Sequence, residues 1–400
     1  MPSGLCKGWE VEHVDKMKSA IHLRLFVVSI GMLPLMACRQ DFSVRSVDGQ
    51  KVILRSSTAL AGDRETMFQF DSESRTLFSY QTCVKVRDRR ATAIRAYDLQ
   101  KGLRTEWYVS DYIDNEFAPA VVLGEKLYFA DVREWKGSKL DNLREVDLSK
   151  SSGVSSARLL KGALPTSHSC RGLMRIGKGR LLLKLFDAGS QSPCLALFDP
   201  VERQVVRRVD LENQNEGDCA WSRSSDRFDM AVSPDLSWVA LRDRVGLLSF
   251  YDASLSLCHA VEMKDLLQLE GSDSDWGWIY AGIHLEWMGN RMVVLWSRRD
   301  GQWWNYDVNT RQIVDRGKLS LRTRKSDPSD RTDVLNKKEY IQLALARKRF
   351  LVKGFKENLL RKEGYIVEVG ETGEEKRELV GWGMWPKAML TENCFYAEEF

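Results

Sequence analysis

A short motif returns along this chain about every fifty residues: an apolar residue, an acid, a turn and a second apolar strand. It reads Ser-Val-Asp48, Ala-Tyr-Asp98, Glu-Val-Asp147, Leu-Phe-Asp199, Phe-Tyr-Asp252, Asn-Tyr-Asp307 and Ile-Val-Glu368, at spacings of 50, 49, 52, 53, 55 and 61 residues. The residue before the acid is apolar in all seven. A period of this length marks a chain built from like supersecondary units that bury their faces only against one another. Upstream of the motifs, tight turns feed β-rich strands, as at Gly124-Glu125, Gly179-Arg180, Ser233-Pro234-Asp235 and Gly289-Asn290. Four short strands per period, joined by Gly, Asn, Asp and Pro turns, predict a β-propeller. No helical pattern of comparable length competes; Leu266–Leu269 suffices for one turn.

The ends set the expected blade count. Residues 67–109, 118–161, 169–211, 227–263, 281–318 and 338–380 each supply four strands. Two strands remain at Phe42–Ser56 and two at Met384–Phe400, with the motif of Asp48 assigning the N-terminal pair to the third-strand position. The expected fold is therefore all-β: a seven-bladed β-propeller, closed by two N-terminal and two C-terminal strands in a shared blade. Such closure removes the open sheet edge. The pattern resembles WD40-like and quinoprotein-like propellers over roughly 360 residues. Tyr97-Asp98-Leu99-Gln100-Lys101-Gly102, running on to Trp107, is similar to the tryptophan-docking repeat of the quinoprotein-like group, which includes an outer-membrane assembly lipoprotein.

The N-terminus reads as an address. Met17-Lys18-Ser19-Ala20-Ile21-His22-Leu23-Arg24 precedes a 13-residue apolar run from Leu25 to Ala37 that contains Pro34. A spanning helix needs about 20 apolar residues, so a secretory signal is the better reading. Acidic residues Glu10, Glu12 and Asp15 do not suit a basic leader, so Met17 is the expected start. The run ends Leu35-Met36-Ala37-Cys38, which resembles the bacterial lipobox. That resemblance implies cleavage before Cys38, its lipidation, including palmitate, and, with Arg39 rather than Asp following, outer-membrane sorting on the periplasmic side. Residues 1–37 are then a signal peptide and 38–400 a single propeller domain. A plain signal with a chance cysteine is the alternative.

Chemistry is sparse. GxSxG, HExxH, Walker A and CxxC are absent, and only His168, His259 and His284 follow Cys38. His168, in Thr166-Ser167-His168-Ser169, sits beside hydroxyls; His259 and His284 fall in strands, where structural roles are the commoner ones. No metal or cofactor is expected. Asp273-Ser274-Asp275-Trp276-Gly277 loosely resembles a calcium-binding loop but lacks the third acid and terminal Glu. Cys83, Cys170, Cys194, Cys219, Cys258 and Cys394 allow 15 pairings in an oxidising compartment. A local bridge among Cys170, Cys194 and Cys219 and buried free thiols are both open.

A formal charge of +4 gives no reason to expect nucleic acid. Charge is uneven, however: residues 316–362 hold 15 Lys+Arg against five Asp+Glu. Six of the 13 tryptophans lie between Trp276 and Trp304, and of these Trp287, Trp296 and Trp303 fall in strands as inter-blade packing. Three long connectors, 212–226, 264–280 and 319–337, open on one propeller face in consecutive blades. They bring Asp218, Trp221, Asp273, Asp275, Trp276, Trp278, Arg322, Arg324 and Lys325 to one rim, the expected partner-binding site. The leading function is a monomeric, lipid-anchored, non-catalytic propeller that binds another protein in the bacterial cell envelope, as an assembly factor or an immunity-type antagonist. The alternative is a periplasmic propeller enzyme or glycan binder using the Trp-rich top-face loops. An enzyme would need two or more carboxylates, or a carboxylate with a histidine, meeting in the central funnel.

Overall fold

The computed structural model describes most of the chain between Phe42 and Glu399, apart from connectors 56–64, 111–119, 132–141, 212–227, 269–281, 298–300, 321–339 and 356–361 and some shorter turns. Within it, β1 (Phe42–Val47) and β2 (Gln50–Arg55) join β28 (Met384–Thr391) and β29 (Cys394–Glu399) in a terminal sheet of order β1-β2-β29-β28. A first sheet holds β3 (Glu65–Asp71), β4 (Thr76–Val86), β5 (Arg89–Asp98) and β6 (Gly102–Val109); a second holds β7 (Val121–Leu123), β8 (Lys126–Ala130), β9 (Leu143–Asp147) and β11 (Arg158–Leu159). The third comprises β12 (His168–Ile176), β13 (Arg180–Asp187), β14 (Ser192–Asp199) and β15 (Gln204–Asp210). The fourth is β16 (Phe228–Val232), β17 (Trp238–Asp243), β18 (Leu247–Asp252) and β19 (Leu257–Glu262). The fifth is β20 (Ile283–Met288), β21 (Met292–Ser297), β22 (Gln302–Asp307) and β23 (Gln312–Lys318); the sixth is β24 (Tyr340–Ala346), β25 (Arg349–Phe355), β26 (Lys362–Val369) and β27 (Glu375–Trp382). These spans match the six four-strand groups read from the sequence.

Successive sheets meet mainly through their first strands: β3 with β7, β12 with β16, β16 with β20, β20 with β24 and β24 with β28. This is how propeller blades pack. Each apolar cluster accordingly lies between two neighbouring sheets. Leu181, Leu183 and Leu185 of β13 join Tyr128 and Leu143 of the second sheet, whereas Leu182 faces Val239 and Leu241 of the fourth. Alternation along one strand thus supplies two cores. Middle strands are covered on both faces, which is why β17, β18 and β21 each hold four consecutive buried residues, apolar throughout in β21 and broken only by Ser249 in β18 and Arg242 in β17. The outer strands β15, β19 and β23 are mixed, with many exposed positions.

The repeating acid has a local job. Asp199 Oδ1 accepts the amides of Val201 and Glu202 at 2.9 and 3.2 Å, Asp252 Oδ1 those of Ser254 and Ser256 at 2.8 and 2.9 Å, and Asp307 Oδ1 those of Asn309 and Thr310 at 2.9 and 3.1 Å. It closes the turn between third and fourth strands by satisfying amides that no ladder reaches. One residue earlier, the ladder skips a fourth-strand residue: Arg104, Val206, Cys258 and Val314 each bulge out of register. A similar skip at Val380 marks the sixth sheet.

Three features differ from expectation. The motif strand β1 is the outermost of the terminal sheet, and β2 takes the third position, parallel to β29. The physical reason is composition: Val52-Ile53-Leu54 of β2 suits an interior strand, while Ser43, Arg45 and Ser46 break up the apolar residues of β1 as at an edge. A short extra strand, β10 (Val154–Ser155), leaves the second sheet and pairs parallel with β6 of the first. The single turn expected at Leu266–Leu269 is a five-residue helix, α1 (Met263–Leu267), held by buried Met263 and Leu267.

Candidate functional site

The three long connectors all run from an outer strand to the first strand of the next sheet: β15 to β16, β19 to β20 and β23 to β24. Their stems are fixed. Leu211 donates its amide to Pro193 O at 3.2 Å, and Arg208 Nε bridges to Asp210 at 2.9 Å. The second begins with α1, whose following residue Gln268 accepts Arg316 Nη1 at 2.9 Å. In the third, Ser320 gives its amide to Glu375 and takes Arg377 Nη2 at 2.7 Å, both from β27. The predicted rim residues Asp218, Trp221, Asp273, Asp275, Trp276, Trp278, Arg322, Arg324 and Lys325 lie outside the described residues, as do Cys38, Cys219 and the signal segment.

Part of the basic stretch 316–362 is engaged within the protein. Arg347 Nε lies 3.0 Å and Lys348 Nζ 3.7 Å from Asp315, and Lys348 also reaches Glu371 at 3.1 Å. Trp287, Trp296, Trp303 and Trp304 are all buried, filling the spaces on either side of the fifth sheet.

Cys170, Cys194 and Cys258 are free thiols. Cys170 pairs in register with Leu185, and Leu185 with Cys194, so β13 separates the two cysteines. Two strand spacings are about 9.6 Å, beyond the roughly 4.4–6.8 Å between Cα atoms that a disulfide spans. Burial pushes the Cys170 thiol up to about 12 and that of Cys194 to about 11, which makes both poor nucleophiles.

Each histidine among the described residues has partners. His168 Nδ1 lies 2.9 Å from Thr166 O, and Ser167 Oγ donates to Asp187 at 2.6 Å rather than to the imidazole. The Ser-His neighbours in sequence therefore do not form a nucleophile–base pair. His259 stacks on Phe250 at 4.5 Å, with Nε2 3.0 Å from Tyr306 Oη; burial and Arg311 hold its pKa below the usual range.

His284 differs. Its Nδ1 lies 3.6 Å from Asp229 Oδ2 of the preceding first strand, and its ring packs on Trp296 at 4.8 Å. Burial pushes the Asp229 carboxyl up, but the His284 contact, nearby Arg242 and the Leu285 amide at 3.3 Å outweigh it and hold the group below its ordinary value. Two residues on, Glu286 shares the His284 face of β20 and accepts the Ala344 amide of β24 at 2.9 Å. Glu286 keeps a sliver of solvent contact, yet protein surrounds it on nearly all sides, and burial pushes its carboxyl up to about 8. An ion-paired carboxyl, an imidazole and a carboxyl raised by burial thus occupy neighbouring first strands, and perturbed groups of this kind mark candidate functional sites. The sequence carried the signal: Asp229 and His284 are 55 residues apart, one period, so overlaying the repeats brings them side by side.

No family model matches the chain, and neither does any curated protein. Among solved structures, it is similar to BamB from Moraxella catarrhalis at 10% identity and a TM-score of 0.42, over 88% of this chain and 92% of that one. The β-propeller domain of Cps50 (Swd1) from Myceliophteria thermophila shows 14% identity and a TM-score of 0.40, over 82% and 88% of the two chains. The C-terminal WD40 domain of Sif2 shows 9% and 0.41, over 82% and 76%.

Proposed function

We propose that this protein is a lipid-anchored, non-catalytic propeller of seven blades, closed through the terminal sheet, that binds another protein in the bacterial cell envelope. One observation carries the binding face. The strands flanking the three long connectors repeat the same outer-to-inner link in consecutive sheets, which supports a shared binding face. Aromatic Trp276 and Trp278, flanked by Asp273, Asp275, Arg322, Arg324 and Lys325, form the apolar centre and charged surround of such an interface.

The test is affinity capture of the native lipoprotein beside a Trp276→Ala, Trp278→Ala variant. A specific co-purifying protein lost from the variant, at an unchanged melting temperature, supports the reading; identical profiles, or an unfolded variant, remove the site. Anchoring is tested separately. Cys38→Ser is expected to move the protein from the membrane fraction to the soluble one, and a wild-type protein found soluble with residues 1–37 intact overturns it.

The dyad of Asp229 and His284 beside Glu286 favours a second reading, an envelope propeller enzyme or glycan binder working at the inner strands. His284→Gln would abolish that activity while sparing partner capture.

A further inference from the structure

The fourth strand of the second sheet is nearly missing. Outer strands β6, β15, β19, β23 and β27 run for six to eight residues, but β11 has two. Two residues that would extend it, Val154 and Ser155, have crossed to the first sheet as β10, fastened there by the Ser110 amide on Ser155 O at 2.9 Å. Where the sheet wall is short, a half-open cleft of about 390 Å³ lies between β11 and the third-sheet turn carrying Arg203. That size falls within the usual range for small-molecule sites.

The lining is of two kinds. Leu159, Leu160 and Ala163 supply an apolar floor, with Leu160 and Ala163 buried; Arg158, Lys161 and Arg203 supply three cations and no acid. Arg203 is partly neutralised, its Nη2 lying 2.9 Å from Glu145, which Lys126 Nζ also approaches at 3.3 Å. Arg203 holds that position from a left-handed backbone at φ 57°, in the turn closed by Asp199. Arg158 and Lys161 meet no carboxylate among the described residues. Two exposed cations without a carboxylate partner suit a dianion, and the apolar floor suits a compact organic group.

We propose that this cleft binds a phosphate monoester carrying a small apolar substituent. The phosphate takes charge-assisted hydrogen bonds from Arg158 and Lys161 and the remaining N–H groups of Arg203. Its substituent covers Leu159 and Ala163. None of the residues lining the cleft belongs to the three long connectors.

Phenyl phosphate is the probe, titrated into the full chain and followed by phosphorus and methyl NMR. Saturable binding at millimolar ligand is expected, with the methyl resonances of Leu159, Leu160 and Ala163 shifting. Arg158→Ala with Lys161→Ala should weaken it by about tenfold or more at an unchanged melting temperature. Inorganic phosphate should bind more weakly, because it leaves the floor uncovered. Absence of saturation, shifts confined to other methyls, undiminished binding by the double variant, or equal affinity for inorganic phosphate would each overturn the proposal. The wild-type methyl shifts decide the matter even where the double variant fails to fold.

Discussion

Trp303→Ala is expected to cost about 3–5 kcal/mol of stability, the range for emptying a buried aromatic site. Trp303 is 1% exposed and packs on Phe350 at a ring separation of 5.0 Å, so its loss opens the space between the fifth and sixth sheets. Its partner in register is Gly317 of β23, where an added Cβ would sit 2.6 Å from Cζ2 and 2.9 Å from Cε2 of the indole. Gly317→Ala should therefore cost roughly 1–3 kcal/mol by overpacking. The two effects are coupled, because a smaller residue at 303 removes the clash. In a double-mutant cycle by denaturant melting, Gly317→Ala should be nearly silent when Trp303 is already Leu. Strict additivity would mean that the indole is not the atom group that enforces glycine there.

Glu286→Gln should stabilise the protein at alkaline pH and leave it nearly unchanged in acid. The folded carboxyl titrates at about 8 against an ordinary 4.5, so the folded state holds a proton that the unfolded chain releases across that window. Stability from this group is full below about pH 4.5, falls as pH rises and is gone above pH 8. Glutamine keeps an acceptor for the Ala344 amide without the charge. The difference between variant and wild type should grow from near zero at pH 4.5 to about 4–5 kcal/mol at pH 8.5. Comparing the two proteins cancels the opposite trend from Asp229, Asp235, Asp252 and Asp307, whose lowered pKa values withdraw stability in acid. A flat difference across that range would show Glu286 ionised throughout.

The repeat was legible because its acid does the same local work in successive sheets: Asp199, Asp252 and Asp307 each close the turn between third and fourth strands. Strand groupings followed from that period. Order within the terminal sheet did not, since a motif marks a strand without stating which side of a hairpin meets the other end of the chain. The Asp229–His284 contact joins two sheets, and such contacts appear only when the repeats are overlaid. The buried tryptophans were readable from their place in strands. Part of the charge in the basic stretch is spent inside the fold: Arg347 and Lys348 reach Asp315 across a sheet boundary, and Lys348 also reaches Glu371 within its own sheet.

The bulged outer strands limit how copies of this protein can add to one another. A skipped residue in the fourth strand leaves its free side kinked, and a kinked edge is a poor template for another chain. Beside β6 lies β10, and β11 is too short to recruit a partner. Among the described outer strands, β1 alone keeps an unbroken ladder from Phe42 to Val47. A single usable edge corresponds to a valency of one: two copies meeting at β1 would close on each other as a symmetric pair, with no such edge left for a third among the described outer strands.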